Sequence, residues 1–299
     1  MCISAVSVNE VATAADTWSC LCQQFYKVCD KYVAEVDENP KATLESQLFK
    51  KGPVMAAVVN RVSLRLGLSL TFQKVEVMYD ACRFYKAWNP SSDSAWCAVF
   101  TPSDLQVLED WQDLEKYYTS GYGHAINYEM ACPPLQDVIQ YFSDMVDGRG
   151  GPKGIFYFTH SRAVITMMSR LGLYRDVAPL THEHMDPDRH WRTSSHGIFA
   201  TNLAFVLSSC GQDRWWVSVL MSEKVVSLDG CSSDRGCTWD EFLAAYGRYY
   251  RCDFDNICQA SVQEEEPLSS AANRPEVVWA TDVLRVLRTL AWWAGGLFT

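Results

Sequence analysis

Apolar positions in the first half of the chain recur at helical spacing. From Trp18 to Val36 the sequence places Leu21, Phe25, Val28, Tyr32 and Val36 on one face, which predicts a helix ending near Asn39-Pro40. A second helix is predicted from Met55 to Leu66, with Pro53 near its start. A third runs from Val75 to Trp88 and stops at Asn89-Pro90. Thr101 or Ser103 caps a fourth, through Leu105, Leu108, Trp111 and Leu114, and a fifth spans Leu135 to Val146 after Pro133-Pro134.

The period changes after Asp147. The cluster Gly148-Arg149-Gly150-Gly151-Pro152 breaks regular structure. Gly154 to Thr159 is then almost continuously apolar, as expected of a strand buried on both faces. A helix follows from Arg162 to Leu173. His196 to Leu207 and Trp215 to Leu228 read as two strands, in an antiparallel arrangement, and Trp239 to Tyr249 as a closing helix. A polar loop, 179–195, separates the two parts of this region, and residues 259–276 read as a solvated linker.

Composition narrows the functional classes. The 299 residues carry 48% hydrophobic and 21% charged residues, a globular balance with ample material for a core. A net charge of −10 argues against nucleic acid as a partner, because phosphate backbones are held by clustered Lys and Arg. A small phosphorylated ligand needs only a local basic pocket and stays open. Before residue 280 no apolar run is long enough to span a bilayer. The 12 cysteines include no Cys-x-x-Cys pair. The close spacings Cys82/Cys97, Cys231/Cys237 and Cys252/Cys258 favour disulfide staples over metal sites, and so an oxidising compartment. Met1 to Ser19 has no basic residue and no long apolar stretch, unlike a secretory signal. An incomplete N-terminus reconciles the two observations.

The sharpest local chemistry is Thr159-His160-Ser161-Arg162, at the carboxyl end of the predicted buried strand where a helix begins. Ligands bind beyond the carboxyl ends of strands in open α/β sheets, and a helix N-terminus offers free N–H groups to an anion. His160 is suited to donate a hydrogen bond to a phosphate there, and Arg162 to pair with it.

The strand–His–helix unit GIFYFTHSRAVITMMSRLGLYRD (154–176) resembles the C-terminal motif of the histidine acid phosphatases, most closely the multiple inositol polyphosphate phosphatase branch. SAWCAVF (94–100), LEDWQDLEKYYTSGYGHAIN (108–127), CPPLQDVIQYFSDMV (132–146), ATNLAFVLSSC (200–210) and SVLMSEKVVSLDGC (218–231) fit the same branch in order. The resemblance runs from about Phe25 to about Cys258. It implies an α/β, histidine-phosphatase-like three-layer sandwich with an inserted all-α domain, of which this chain holds a partial sheet. Residues 1–150 are then mainly the helical insertion, 151–258 the C-terminal part of the α/β domain, 259–276 a linker and 277–299 an apolar, amphipathic tail.

The implied activity is removal of phosphate from inositol polyphosphates through a phosphohistidine, with no metal or other cofactor. Two departures bear on it. The nucleophile motif Arg-His-Gly-x-Arg-x-Pro is absent; its expected place is upstream of residue 1. Arg189-His190-Trp191-Arg192 is the nearest string and has the wrong order. The family's His-Ala-Glu appears as His160-Ser161-Arg162, and an arginine cannot act as a general acid near neutral pH. Only His160 carries over, as a phosphate contact. The 299-residue chain is therefore expected to be inactive. It reads either as part of an inositol polyphosphate phosphatase of the secretory pathway or as an inactive relative that binds anions or partners.

Two features stand apart. His182, Glu183, His184, Asp186, Asp188 and His190 crowd the polar loop in a pattern compatible with a divalent metal, although the loop lacks a rigid frame and no metal is expected. In the tail, Trp279, Val283, Val286, Leu287 and Leu290 share one helical face, and the segment fits a membrane-anchoring signal, a surface-seeking helix or a packed helix.

Overall fold

The computed structural model describes residues 11–12, 24–209, 211 and 214–260. The described residues belong to one compact unit that ends at Ser261. The 277–299 tail, nearly all of the 259–276 linker and the first part of the helix expected from Trp18 lie outside them. No helix among the described residues is long and apolar enough to cross a membrane.

Val11–Ala12 forms β1. The segment expected as one helix up to Val36 is instead a broken run: a 3-10 turn at Phe25–Lys27, a helical turn at Asp30–Tyr32 and a π turn at Val33–Asp37. Phe25, Cys29, Tyr32 and Val36 are buried there. Helix α1 (Leu44–Lys51), which periodicity did not single out, precedes α2 (Pro53–Leu66). Pro53 opens α2 at a position where a missing N–H costs nothing, and Gly67 closes it at φ 65°. Helix α3 is Phe72–Trp88 and α4 is Pro102–Ser120.

Thr101, not Ser103, caps α4. Its hydroxyl accepts from the Asp104 amide while the Asp104 carboxylate accepts from the Thr101 amide. Asp104 is fully buried and also binds Arg61 at 2.6 Å, tying the start of α4 to α2. Helices α5 (Ala125–Glu129) and α6 (Cys132–Val146) complete the helical part.

The strand expected to be buried on both faces is the clearest departure. Only Gly154–Ile155 (β2) is paired, in parallel with β1. Phe156 and Phe158 are 58% and 83% exposed. A continuous apolar run reports that a strand is suited to burial. Neighbouring strands and covering layers do the burying, and among the described residues none flanks 156–159.

Helix α7 (Ser161–Arg170) follows and buries Ala163, Ile165, Met167 and Met168. After the short α8 (Thr193–His196), β3 (Leu203–Ser209) and β4 (Trp215–Met221) pair antiparallel from Leu203↔Met221 to Ser209↔Trp215. β3 starts later than the apolar pattern suggests, because His196 ends a helical turn and Ala200 takes φ 59°. Ser222 and Glu223, both at positive φ, make the tight turn into β5 (Lys224–Val226). β6 (Cys237–Thr238) also pairs with β4. Helix α9 (Trp239–Tyr246) is capped by a Thr238/Glu241 box, a 3-10 turn continues it over Gly247–Arg251, and α10 (Phe254–Cys258) ends the described chain. One hydrophobic core, from Phe25 to Cys258, runs through the helical and the sheet-bearing parts.

Among the described residues four disulfides stitch this core. Cys82–Cys97 and Cys231–Cys237 close the short loops expected from their spacing. The third close pair does not form: Cys258 bonds Cys29, 229 residues away, and Cys252 bonds Cys132, 120 residues away. Sequence proximity favours short loops in an unfolded chain, but here the folded core brings distant thiols together. The remaining cysteines, Cys2, Cys20, Cys22 and Cys210, lie outside the described residues.

Two outcomes follow for stability and solubility. Replacing both Cys29 and Cys258 by Ala should cost about 3–5 kcal/mol in a urea unfolding curve, since the bond closes a very long loop. A loss below about 1 kcal/mol would show that the core alone holds the ends together. Replacing Phe156 and Phe158 by Ser should lower the light scattering of the purified chain, because two large exposed apolar side chains favour self-association.

Candidate functional site

His160 is the N-cap residue of α7, with extended backbone (φ −94°, ψ 162°) and no hydrogen bond from its side chain to the helix. Its carbonyl accepts from the Ala163 amide at 3.0 Å. Its imidazole is exposed, with Nδ1 3.4 Å from the Tyr26 hydroxyl, a residue 134 positions earlier. The helix start expected after His160 is present, but the strand, only two residues long, ends at Ile155, with four residues between it and the histidine.

Arg162 is half-buried and already paired. Its guanidinium pairs with the Asp37 carboxylate at 2.5 Å, and lies over two phenol rings, 5.4 Å from Tyr26 and 5.7 Å from Tyr32. Burial works against its charge, but the Tyr32 and Asp37 oxygens outweigh it and hold its pKa above the ordinary arginine value. Burial in turn raises the Tyr32 phenol to about 12, against the opposing pull of Arg162. Tyr32 is thus a neutral donor, and its hydroxyl donates to the Thr119 carbonyl at 2.9 Å. Behind it, Thr166 donates back to the Arg162 and Ala163 carbonyls and secures the first turn of α7.

Tyr26, Tyr32 and Asp37 were not visible as site residues in the sequence. Each lies well over 100 positions from α7, and nothing in a single sequence links them to it.

The polar loop has another role than metal binding. Glu45 on α1 accepts from the His182 amide and contacts the His182 ring at 2.6 Å. Asp186 accepts from the Asp188 amide, and Asp176 from the amides of His190 and Trp191. No group of three or more His, Cys, Asp or Glu side chains converges among the described residues.

Arg189 and Trp191, from the string that only superficially resembles a nucleophile motif, are buried anchors. Arg189 pairs with Asp113 at 2.5 Å and Asp110 at 2.7 Å on α4. Trp191 is fully buried and its indole N–H donates to the Asp113 carbonyl. The ring lies so close over Gly121 that a Cβ there would overlap it. Asp113 also accepts from the amide and hydroxyl of Thr193. Burial raises the Asp113 carboxyl, opposed by Thr193 and Arg189.

With this geometry in view, relatives place the chain. The family model of the histidine phosphatase superfamily (branch 2) matches residues 4–222. The chain belongs to that superfamily. It is 33% identical over 203 residues to Multiple inositol polyphosphate phosphatase 1 of Drosophila melanogaster, covering 63% of this chain and 42% of the relative. It is 30% identical over 251 residues to the protein of the same name from Gallus gallus, covering 79% and 56%. These matches place it in the multiple inositol polyphosphate phosphatase branch. A phytase from D. castellii shares the fold, with a TM-score of 0.66 at 14% identity, over 81% of this chain and 52% of that one. The α/β class with a helical domain is therefore as the sequence led us to expect. The chain spans about half the length of the curated relatives it matches.

Arg189 gives a test of the loop anchor. Arg189→Ala leaves Asp113 and Asp110 buried without their counter-charge and should cost about 3–5 kcal/mol of stability by denaturant unfolding. A variant as stable as the parent would remove the ion pair from the account of how this loop is held.

Proposed function

We propose that this chain supplies the phosphate-binding side of an inositol polyphosphate phosphatase site, with His160 contacting a substrate phosphate. One observation carries the reading. In a chain of this superfamily, an exposed histidine sits at the N-cap of a three-turn helix with its side chain turned away from capping. Such a helix end presents unpaired N–H groups and a partial positive charge, and an imidazole beside it adds a directed donor. The names of the relatives supply the substrate class, inositol polyphosphates, and one of the more distant ones is a Phytase A from Emericella nidulans.

On this reading residues 1–150 are chiefly the helical insertion and 151–258 the trailing part of the α/β domain. The 299 residues bind without turning over: no Arg-His-Gly-x-Arg-x-Pro string occurs in them, and Arg162 stands where the family has a general acid. Four disulfides suit an oxidising compartment, and we place the protein in the secretory pathway. The tail, which lies outside the described residues, is the segment to examine for membrane anchoring.

A second reading is favoured by the Arg162–Asp37 pair, which occupies the acid's place with a charge-neutral couple. It makes the protein an inactive relative that binds phosphorylated molecules.

Calorimetric titration with inositol hexakisphosphate tests the site. His160→Ala should weaken binding by about 10-fold or more, the worth of one hydrogen bond to a charged group. Unchanged affinity would remove His160 from the site. The 299-residue chain should release no phosphate above the blank; measurable release would overturn the assignment of inactivity.

A further inference from the structure

The Arg162–Asp37 ion pair lies beside Tyr26, whose hydroxyl also contacts His160. Asp37 ends the π turn Val33–Asp37, and Arg162 is the second residue of α7, two positions from His160. They are separated by 125 residues, so their contact exists only when the 25–37 segment is docked against α7. That segment is tied to α10 by Cys29–Cys258 and to α4 by Tyr32 donating to Thr119, and it meets α7 through the two phenol rings beneath the guanidinium. The rings fix where the Arg162 head lies, while Asp37 occupies one edge of it. Both side chains remain partly exposed, at 31% for Arg162 and 43% for Asp37, so solvent and a soluble anion can reach the pair.

We propose that Asp37 is an internal counter-ion that competes with a phosphate for Arg162. A phosphate seated at His160 and the start of α7 would gain the guanidinium by displacing the carboxylate. The proposal rests on the reading of His160 as a phosphate contact. While Asp37 is in place the pair sums to zero charge, and a polyanion approaching His160 meets the carboxylate as a repulsive neighbour. Removing that charge leaves Arg162 unneutralised on its aromatic platform, over the Tyr26 ring whose hydroxyl meets His160. The pair therefore sets how strongly the site holds phosphate. It explains how an arginine in place of an acid tunes affinity without taking part in chemistry.

The experiment titrates the full 299-residue chain with inorganic phosphate and, separately, inositol hexakisphosphate, by calorimetry at fixed low ionic strength. Asp37→Asn should tighten binding of both about 3- to 20-fold, the range set by one charge near a partly exposed anion. Glu38→Gln removes the same charge one residue away and should change affinity less than twofold. In an Arg162→Gln background the gain from Asp37→Asn should largely vanish, because there is no guanidinium to release. Melting curves for each variant check that the docked segment persists.

If Asp37→Asn binds no tighter than the parent while His160→Ala still weakens binding, the counter-ion role is overturned and the phosphate site stands. An equal gain from Asp37→Asn with and without Arg162 also overturns it, since the carboxylate then acts only as a diffuse charge. Affinity that is identical for the parent, His160→Ala and Asp37→Asn overturns both. Binding seen in Asp37→Asn and absent from the parent supports the proposal in its strongest form.

Discussion

The candidate site depends on one constraint: the segment from Phe25 to Asp37 must lie against the start of α7. That segment carries Tyr26, Tyr32 and Asp37, which together position His160 and Arg162 from a distance of more than 120 residues. It is poorly suited to hold itself there, because its helix is broken into 3-10, α and π turns of three to five residues each. Short turns of that kind gain little from backbone bonding alone. The Cys29–Cys258 bond, with Phe25, Tyr32 and Val36 buried beside it, supplies what the local structure lacks.

A second anchor acts on α4. Arg189 and Trp191 drive the polar loop into α4, where Asp113 collects the guanidinium, the Thr193 hydroxyl and an amide. Three donors on one buried carboxylate fix a loop whose sequence reads as solvated. α4 is therefore the common reference: Thr119 receives Tyr32 on one stretch, and Asp113 receives the loop on another. Its N-terminus is held in turn by Asp104, which closes the capping box and pairs with Arg61 of α2.

The histidine-to-helix junction was legible in the sequence because it is local. An apolar run, a His, and a helical period within some twenty residues specify it, and the resemblance to a phosphatase motif lies on those same residues. Helices α2, α3, α4 and α6 were legible for the same reason, with Pro53, Thr101 and Gly67 marking their ends. Helix α1 escaped because it is only eight residues long and sits just before the Gly52-Pro53 breaker. The surroundings of Arg162 escaped because no local pattern announces a partner so far away.

What the sequence by itself determined is therefore most of the longer helices, the family, and the identity of the side chain at each turn of α7. Tertiary structure decided which distant groups meet. It paired Cys252 and Cys258 with Cys132 and Cys29 instead of with each other, and it left Phe156 and Phe158 in solvent although their pattern suits a buried strand. It also set Asp37 against Arg162, 125 residues away. The physical reason is common to all three. Backbone propensity and capping act over a few residues, whereas burial, disulfide pairing and ion pairing depend on distances that only the packed core establishes.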